Sequence, residues 1–378
     1  MRVLVVSGIW PPDVGGPASH APEVAGFLHG RGHAVEVVTT ANSAPAQEAY
    51  DVKWVSRRLP IGVRHVRGAL VVRERAAAAD VVYTTGMFGR SSLGSRMART
   101  PYVLKLTADP AHERARRRGF SEGGVAEFQR ERGGLRVGVL RAARDAELRG
   151  AAHVFSPSAY LRNLAVTWGV DPERVEVLPN PSPVLPDLPS RDEARSRFSV
   201  EGATLVFAGR LTAQKSLGLA LEALAATEGV TLLLAGEGDE RAALEHRAAE
   251  LRLDGRVRFL GPQRRERVLE LFRAADALLL TSSWENFPHT VVEALAVGTP
   301  VLATAAGGVG EVVEDGRNGL LVPPGDAAAL AKAIGRFFGD ERLQASLRAA
   351  AAPSVTDYAP ERIYSRLEEV LHEAARQR

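Results

Sequence analysis

The sequence predicts an α/β protein built from two doubly wound parallel-sheet domains. Three observations carry that expectation: short apolar runs alternate with amphipathic stretches, a proline-dense break interrupts the alternation near the middle, and the same alternation then resumes. The chain's 378 residues suit two cores of ordinary size, and its 45% hydrophobic and 25% charged residues are those of a globular protein.

The first apolar run, Val3 to Val6, lies in a stretch that breaks at Trp10, Pro11, Pro12 and Asp13. It is too short for a signal peptide or a membrane span and reads as a buried strand. Further strands are expected at Ala34 to Thr39, Asp80 to Thr84, Tyr102 to Leu106, Ala152 to Phe155 and Val175 to Leu178, with helices between them. Pro179, Pro181, Pro183 and Pro186 then forbid helix and interrupt any strand ladder, which places the linker there. Strands resume at Thr204 to Ala208, Thr231 to Ala235, Val257 to Phe259, Ala277 to Leu280 and Val301 to Ala303. The expected division is 1–182, 183–358, and a C-terminal helix over 359–378 whose Ile363, Leu367, Val370 and Leu371 form an apolar stripe for packing across the domain junction. Two such sheets facing one another predict an interdomain cleft lined by loops at the strands' carboxyl ends.

The chain has no cysteine, which removes disulfide frameworks, Cys-based zinc sites, iron-sulfur clusters and thiol catalysis and points to a reducing, cytoplasmic setting. Charge is unevenly spread. Residues 51–150 hold 21 basic against 10 acidic side chains, including Arg57, Arg58, Arg64, Arg67, Arg73, Arg75, Arg114, Arg116, Arg117 and Arg118. Such a face attracts anionic membrane, a polyprenyl-phosphate acceptor or nucleic acid, although four lysines against 44 arginines also fit a codon-biased, merely solvated surface. Aromatics do not interleave with the arginine clusters, so nucleic acid is not expected as a partner.

The sharpest chemical signal follows the strand Ala277 to Leu280: Glu285-Asn286-Phe287-Pro288-His289-Thr290, then Glu293. Pro288 suits the first helical position, leaving the amides of His289 and Thr290 and the positive end of the helix dipole for a diphosphate. Glu285 before the helix and Glu293 inside it are placed to take hydroxyl groups at opposite ends of one ligand, as a sugar nucleotide offers. A helix cap at Glu285 and a plain surface role for Glu293 are the alternative. The second signal is Gly209-Arg210-Leu211 through Lys215, a glycine turn with a planar guanidinium and a point charge suited to holding a diphosphate and neutralising its departing charge. A solvated turn is the alternative. Pro12 to Pro17, with Gly15 and Gly16, brings amides near an anion but lacks the dinucleotide fingerprint spacing. Gly307-Gly308-Val309-Gly310-Glu311 and Asp315 to Asp326 flank another strand, with tight turns or closure over a ligand as competing readings. No HExxH, magnesium cage, G-x-S-x-G elbow or Walker sequence is present, so neither a bound metal nor a resident cofactor is expected.

Taken together, these motifs resemble the group 1 glycosyltransferases, also called family 4, over nearly the whole chain. The most specific match is Glu285 to Glu293, which looks like the family's E-x7-E motif, followed by Gly298-Thr299-Pro300. The resemblance implies a GT-B fold of two facing Rossmann-like domains, the acceptor against the first and a nucleotide-diphosphate sugar held by the second. By resemblance Arg210 and Lys215 hold the diphosphate, Glu285 contacts the transferred sugar, Glu293 contacts the ribose and Gly16 lies near the diphosphate. It also implies retention of anomeric configuration without metal, transfer to a glycan or lipid-linked acceptor, and peripheral contact with an anionic inner membrane face. Ala108 stands where many members have a histidine, while Asp109 remains as a catalytic candidate, with Lys105 or Glu113 as assistants and a strand-end turn role as the alternative. Two other functions compete: a phosphorylase, sugar-nucleotide hydrolase or epimerase on the same fold, and a nonenzymatic membrane- or polyanion-binding module.

Overall fold

The computed structural model describes residues 1–13 and 16–378, and the side chains of these except for residues 16–19. The chain divides into two compact units, Met1–Asn180 with Glu361–Arg378, and Pro181–Pro360.

The first unit holds seven strands: β1 Arg2–Val6, β2 Ala34–Ala41, β3 Asp51–Ser56, β4 Val81–Thr84, β5 Tyr102–Lys105, β6 His153–Ser156 and β7 Val175–Val177. They form one sheet in the order β3-β2-β1-β4-β5-β6-β7, with every recorded pairing parallel, as Val3 with Val35 and Val81. Alternation sorts the strand residues onto two covered faces. Val3, Val5, Val35, Val37, Val81 and Tyr83 pack on one side, whereas Leu4, Val6, Val38 and Val82 pack on the other. The strand of this unit not anticipated is β3. Its residues Asp51, Lys53 and Trp54 are exposed at the sheet's edge, so it carries no continuous apolar run.

The second unit holds β8 Ala203–Ala208, β9 Val230–Ala235, β10 Val257–Gly261, β11 Ala277–Leu280, β12 Val301–Thr304 and β13 Gly319–Val322. Their order is β10-β9-β8-β11-β12-β13, again parallel. Sequence order reverses between β8 and β11, and loops leaving such a switch point diverge to opposite faces and open a crevice at the strands' carboxyl ends. The two motifs singled out above follow those two strands.

After the second unit, the helix Pro360–Ala375 belongs to the first. Ile363, Tyr364, Leu367, Val370, Leu371 and Ala374 bury its apolar stripe in the cluster containing Val3, Val5 and Leu28. Its polar edge is tied by the bidentate Arg366–Glu176 pair at 2.9 and 2.8 Å.

Candidate active site

Two loops meet at the β8/β11 switch point. Thr281 Oγ1 donates to the Lys215 carbonyl at 2.8 Å, Ser283 N donates to the Gln214 carbonyl at 2.9 Å, and Gln214 Nε2 donates to the Trp284 carbonyl at 2.7 Å. These bonds fix the loops before any ligand arrives. Lys215 Nζ then reaches Glu285 Oε1 at 2.5 Å, and Ser282 Oγ donates to the same oxygen at 2.6 Å. The carboxylate is nearly buried, and two charge-assisted bonds hold it in one orientation. Glu285 therefore does not cap the helix, and Lys215 is already paired rather than a lone cation.

A third loop closes on the same residue. Gly308 N donates to the Glu285 carbonyl at 2.8 Å, while a Cβ on Gly307 would lie 2.0 Å from that oxygen. With φ at +57°, Gly307 is a position only glycine fills without moving the backbone. The glycine run is thus close packing against Glu285 as well as a turn. Gly209, at the end of β8, is approached as closely by Gly236, whose added Cβ would stand 1.8 Å from the Gly209 carbonyl oxygen.

Arg210 extends from this glycine turn into solvent, and among the described residues it has neither a hydrogen-bond nor an ion-pair partner. Its five donors are available to an anion.

The helix after the second loop is His289–Ala296. Pro288 precedes it instead of starting it, and the His289 amide is not free: it donates to the Phe287 carbonyl at 3.1 Å, closing a tight turn around Pro288. Thr290, the second helical residue, keeps an amide with no intrahelical acceptor, so one of the two expected donors remains. Asn286 and Phe287 are buried, and Phe287 stacks edge-on with the exposed His289 at a centroid distance of 5.4 Å. Glu293 lies on the helix with Arg265 Nη2 3.4 Å away.

Asp109 belongs to the first unit, and its surroundings redefine it. The side chain caps the helix Pro110–Arg117, accepting from the Ala111 and His112 amides at 2.8 and 3.3 Å. It also accepts from Gln129 Nε2 at 2.9 Å and Arg144 Nη1 at 3.0 Å, and it is fully buried. Four donors saturate the carboxylate. It serves as a helix cap and as the counter-ion of Arg144, with no acceptor position left for a sugar hydroxyl. Lys105 is buried as well, and its ammonium donates to the Leu178 carbonyl and lies 3.5 Å from that of Pro179. Burial pushes its pKa down to about 7. Val14 and Gly15 lie outside the described residues. Gly16 begins the helix Gly16–Gly30, and its surroundings are likewise outside them.

Sequence reasoning missed Ser282, Gln214 and Arg265. Gln214 lies inside the glycine-turn motif and Ser282 just before the Glu285 motif, but nothing local shows that Ser282 orients Glu285 and that Gln214 stitches the loops.

Residues 190–353 match the family profile "Glycosyl transferases group 1", and residues 15–181 match "Glycosyl transferase 4-like domain". The chain belongs to the group 1 glycosyltransferases. Among its relatives is D-inositol 3-phosphate glycosyltransferase of Mycobacteroides abscessus, 37% identical over 176 residues that cover 44% of this chain and 40% of that protein. The chain thus spans about two fifths of that relative's length. Glycogen synthase of Mycobacterium tuberculosis is 28% identical over 93% of this chain and 89% of its own. Anabaena HepE, solved in complex with UDP, superimposes with a TM-score of 0.82 at 23% identity over 99% of this chain and all of that one, and the fold of this group 1 glycosyltransferase is accordingly GT-B.

Proposed function

We propose that this protein moves a hexose-type sugar from a nucleotide-diphosphate donor, held by the second unit, to a glycan or lipid-linked acceptor. The observation that carries the reading is Glu285, buried, paired with Lys215 and oriented by Ser282 at a sheet switch point, with the unpartnered guanidinium of Arg210 on the same loop as Lys215. Arg210, Lys215 and the amide of Thr290 present positive charge to a diphosphate, and the oriented carboxylate presents acceptors to sugar hydroxyls. Glu293 is assigned to the ribose, as the family resemblance implies.

In the transfer, the bond from the anomeric carbon to the diphosphate oxygen breaks, and the nucleoside diphosphate leaves with the electron pair. Arg210 and Lys215 stabilise that charge as it develops. The acceptor hydroxyl forms the new bond on the face the diphosphate leaves, and its proton passes to the departing phosphate oxygen. Configuration is retained. Transfer without a metal is part of this reading, supported by two cations placed to carry the role a divalent ion has elsewhere and by a carboxylate already paired with Lys215.

The exposed Ile61, Val63, Val66 and Leu70, beside Arg58, Arg67 and Arg73, support an anionic membrane surface as the place where a lipid-linked acceptor is met. Among the described residues no helix is long and apolar enough to cross a membrane, so the contact proposed is peripheral.

The test is calorimetric titration of UDP, GDP, ADP and TDP without added metal, beginning with UDP because HepE was solved with it. One nucleotide should bind the folded protein and weaken in Arg210→Ala by about 1.5–3 kcal/mol, the loss expected when charge-assisted bonds disappear. Absence of binding by any of the four would sink the proposal. Release of free sugar without acceptor, or transfer to inorganic phosphate, would instead identify a hydrolase or phosphorylase.

A further inference from the structure

We propose that the first unit carries a site for a divalent transition ion, zinc in the first instance, formed by His33, Glu368 and His372, which fastens the C-terminal helix to the corner between the helix Gly16–Gly30 and β2. Glu368 and His372 are four residues apart on the helix Pro360–Ala375 and so project from one face, one turn from each other. His33 reaches them from the turn before β2. One ligand atom from each of the three lies within 4.8 Å of the others.

The chemistry of the set favours zinc over magnesium or calcium. Two imidazoles and a carboxylate are borderline donors, suited to zinc, whereas magnesium and calcium take oxygen ligands. In a tetrahedral zinc shell, bonds of about 2.0–2.2 Å put neighbouring ligand atoms roughly 3.4 Å apart. His33 Nε2 and Glu368 Oε1 lie at 2.6 Å and need to spread slightly, while the exposed His372 ring closes the remaining distance by rotating. Water completes the shell.

The surroundings hold two of the three ligands in advance. The side chains of His33 and Glu368 are 9% and 12% exposed and bonded to each other; His33 Nδ1 lies 3.3 Å from the Met1 ammonium, which must turn away when Nδ1 carries the ring proton and Nε2 is the ligand. The His33 and His372 rings stand edge to face with centroids 5.3 Å apart. Arg31 Nε lies 3.3 Å from Glu368 Oε2, a cation competing for the carboxylate, but its side chain is half exposed and can turn into solvent. A cavity of about 420 Å³, lined in part by Arg2, His29, His33 and Glu36, reaches the site at His33. The location is the amino-terminal edge of the sheet, where β1 and β2 begin, the opposite edge from the carboxyl ends at which such folds hold substrate. The proposal does not depend on the transferase reading.

Zinc linking these residues ties the terminal helix to elements more than 300 positions earlier in sequence. Ligand binding to the folded form alone also raises stability. The experiment uses the untagged full chain, stripped with a chelator, dialysed and titrated with Zn2+ by calorimetry and with Co2+ by visible absorption. One ion per chain is expected, with the d–d bands of four-coordinate cobalt, a higher Tm, and slower tryptic cleavage at Arg362 and Arg366. His372→Ala removes an exposed ligand without disturbing the core and should weaken binding on the order of tenfold or more. His33→Gln, which keeps a hydrogen bond to Glu368, should do the same. His246→Ala removes the exposed His246–Glu250 pair elsewhere and should change nothing. Absence of one-to-one binding, unchanged affinity in His372→Ala, or binding that moves with His246 overturns the proposal.

Discussion

Lys215 Nζ lies 2.5 Å from Glu285 Oε1, joining two loops that are 70 residues apart in sequence. The pair makes Glu285 a fixed acceptor and leaves Arg210 as the cation still open to a ligand. Lys215→Met should therefore strand a nearly buried carboxylate and cost about 2 kcal/mol of stability. Adding Glu285→Gln should restore most of that loss, because no charge is then unpaired, while sugar transfer stays absent. Denaturant unfolding of the four proteins in this cycle measures the coupling, and a double variant no more stable than Lys215→Met contradicts it.

Asp109 is expected to matter for folding. Asp109→Ala leaves Arg144 buried without its carboxylate and removes a helix cap, a loss of about 3–5 kcal/mol from the first unit. Nucleoside diphosphate binding should be unchanged. If the variant unfolds like wild type yet no longer transfers sugar, Asp109 belongs back among the catalytic residues.

Lys105 predicts a pH dependence with a definite sign. Its pKa is about 7 in the folded protein and 10.5 as a free side chain, so between those values the unfolded chain binds the additional proton. Stability from this residue should rise with pH above 7, by at most about 1.4 kcal/mol per unit, and be lowest below pH 7, where the buried amine is charged. Comparing Tm for wild type and Lys105→Met from pH 6 to pH 9, chosen as roughly the span of that titration, isolates the effect. Wild type should gain on the variant across the range; parallel curves would show that the amine does not titrate there.

The helix Ile61–Ala78 offers a membrane test. Ile61 and Val66, 67% and 63% exposed, sit among arginines, so the protein should pellet with anionic vesicles and not with neutral ones. Raised salt or the pair Ile61→Asp and Val66→Asp should release it. Failure to pellet with anionic vesicles would remove the membrane from the proposed function.

Much of this molecule was legible in its sequence because the relevant signals are local. The period of the apolar runs follows from strand and helix geometry, and the prolines from Pro179 to Pro186 mark the boundary, now found between Asn180 and Pro181. Residues Glu285 to Glu293 and Gly209 to Lys215 announced themselves by type and spacing, which fix where a carboxylate or cation stands relative to a strand end. β3 escaped because an exposed edge strand needs no apolar run, and β13 lies at Gly319–Val322, inside the glycine-rich segment expected to flank a strand and not beside it.

What the tertiary structure decided are the partners. Sheet order sets β11 beside β8, and this adjacency, which no local pattern encodes, brings Lys215 to Glu285. Close backbone packing makes Gly307 a floor for the Glu285 carbonyl. Burial turned Asp109 from a candidate for sugar contact into a cap and counter-ion, and put Lys105 against the Leu178 carbonyl. In each case side-chain chemistry was fixed by the residue's identity, but its use depended on which distant groups the fold placed within hydrogen-bonding reach.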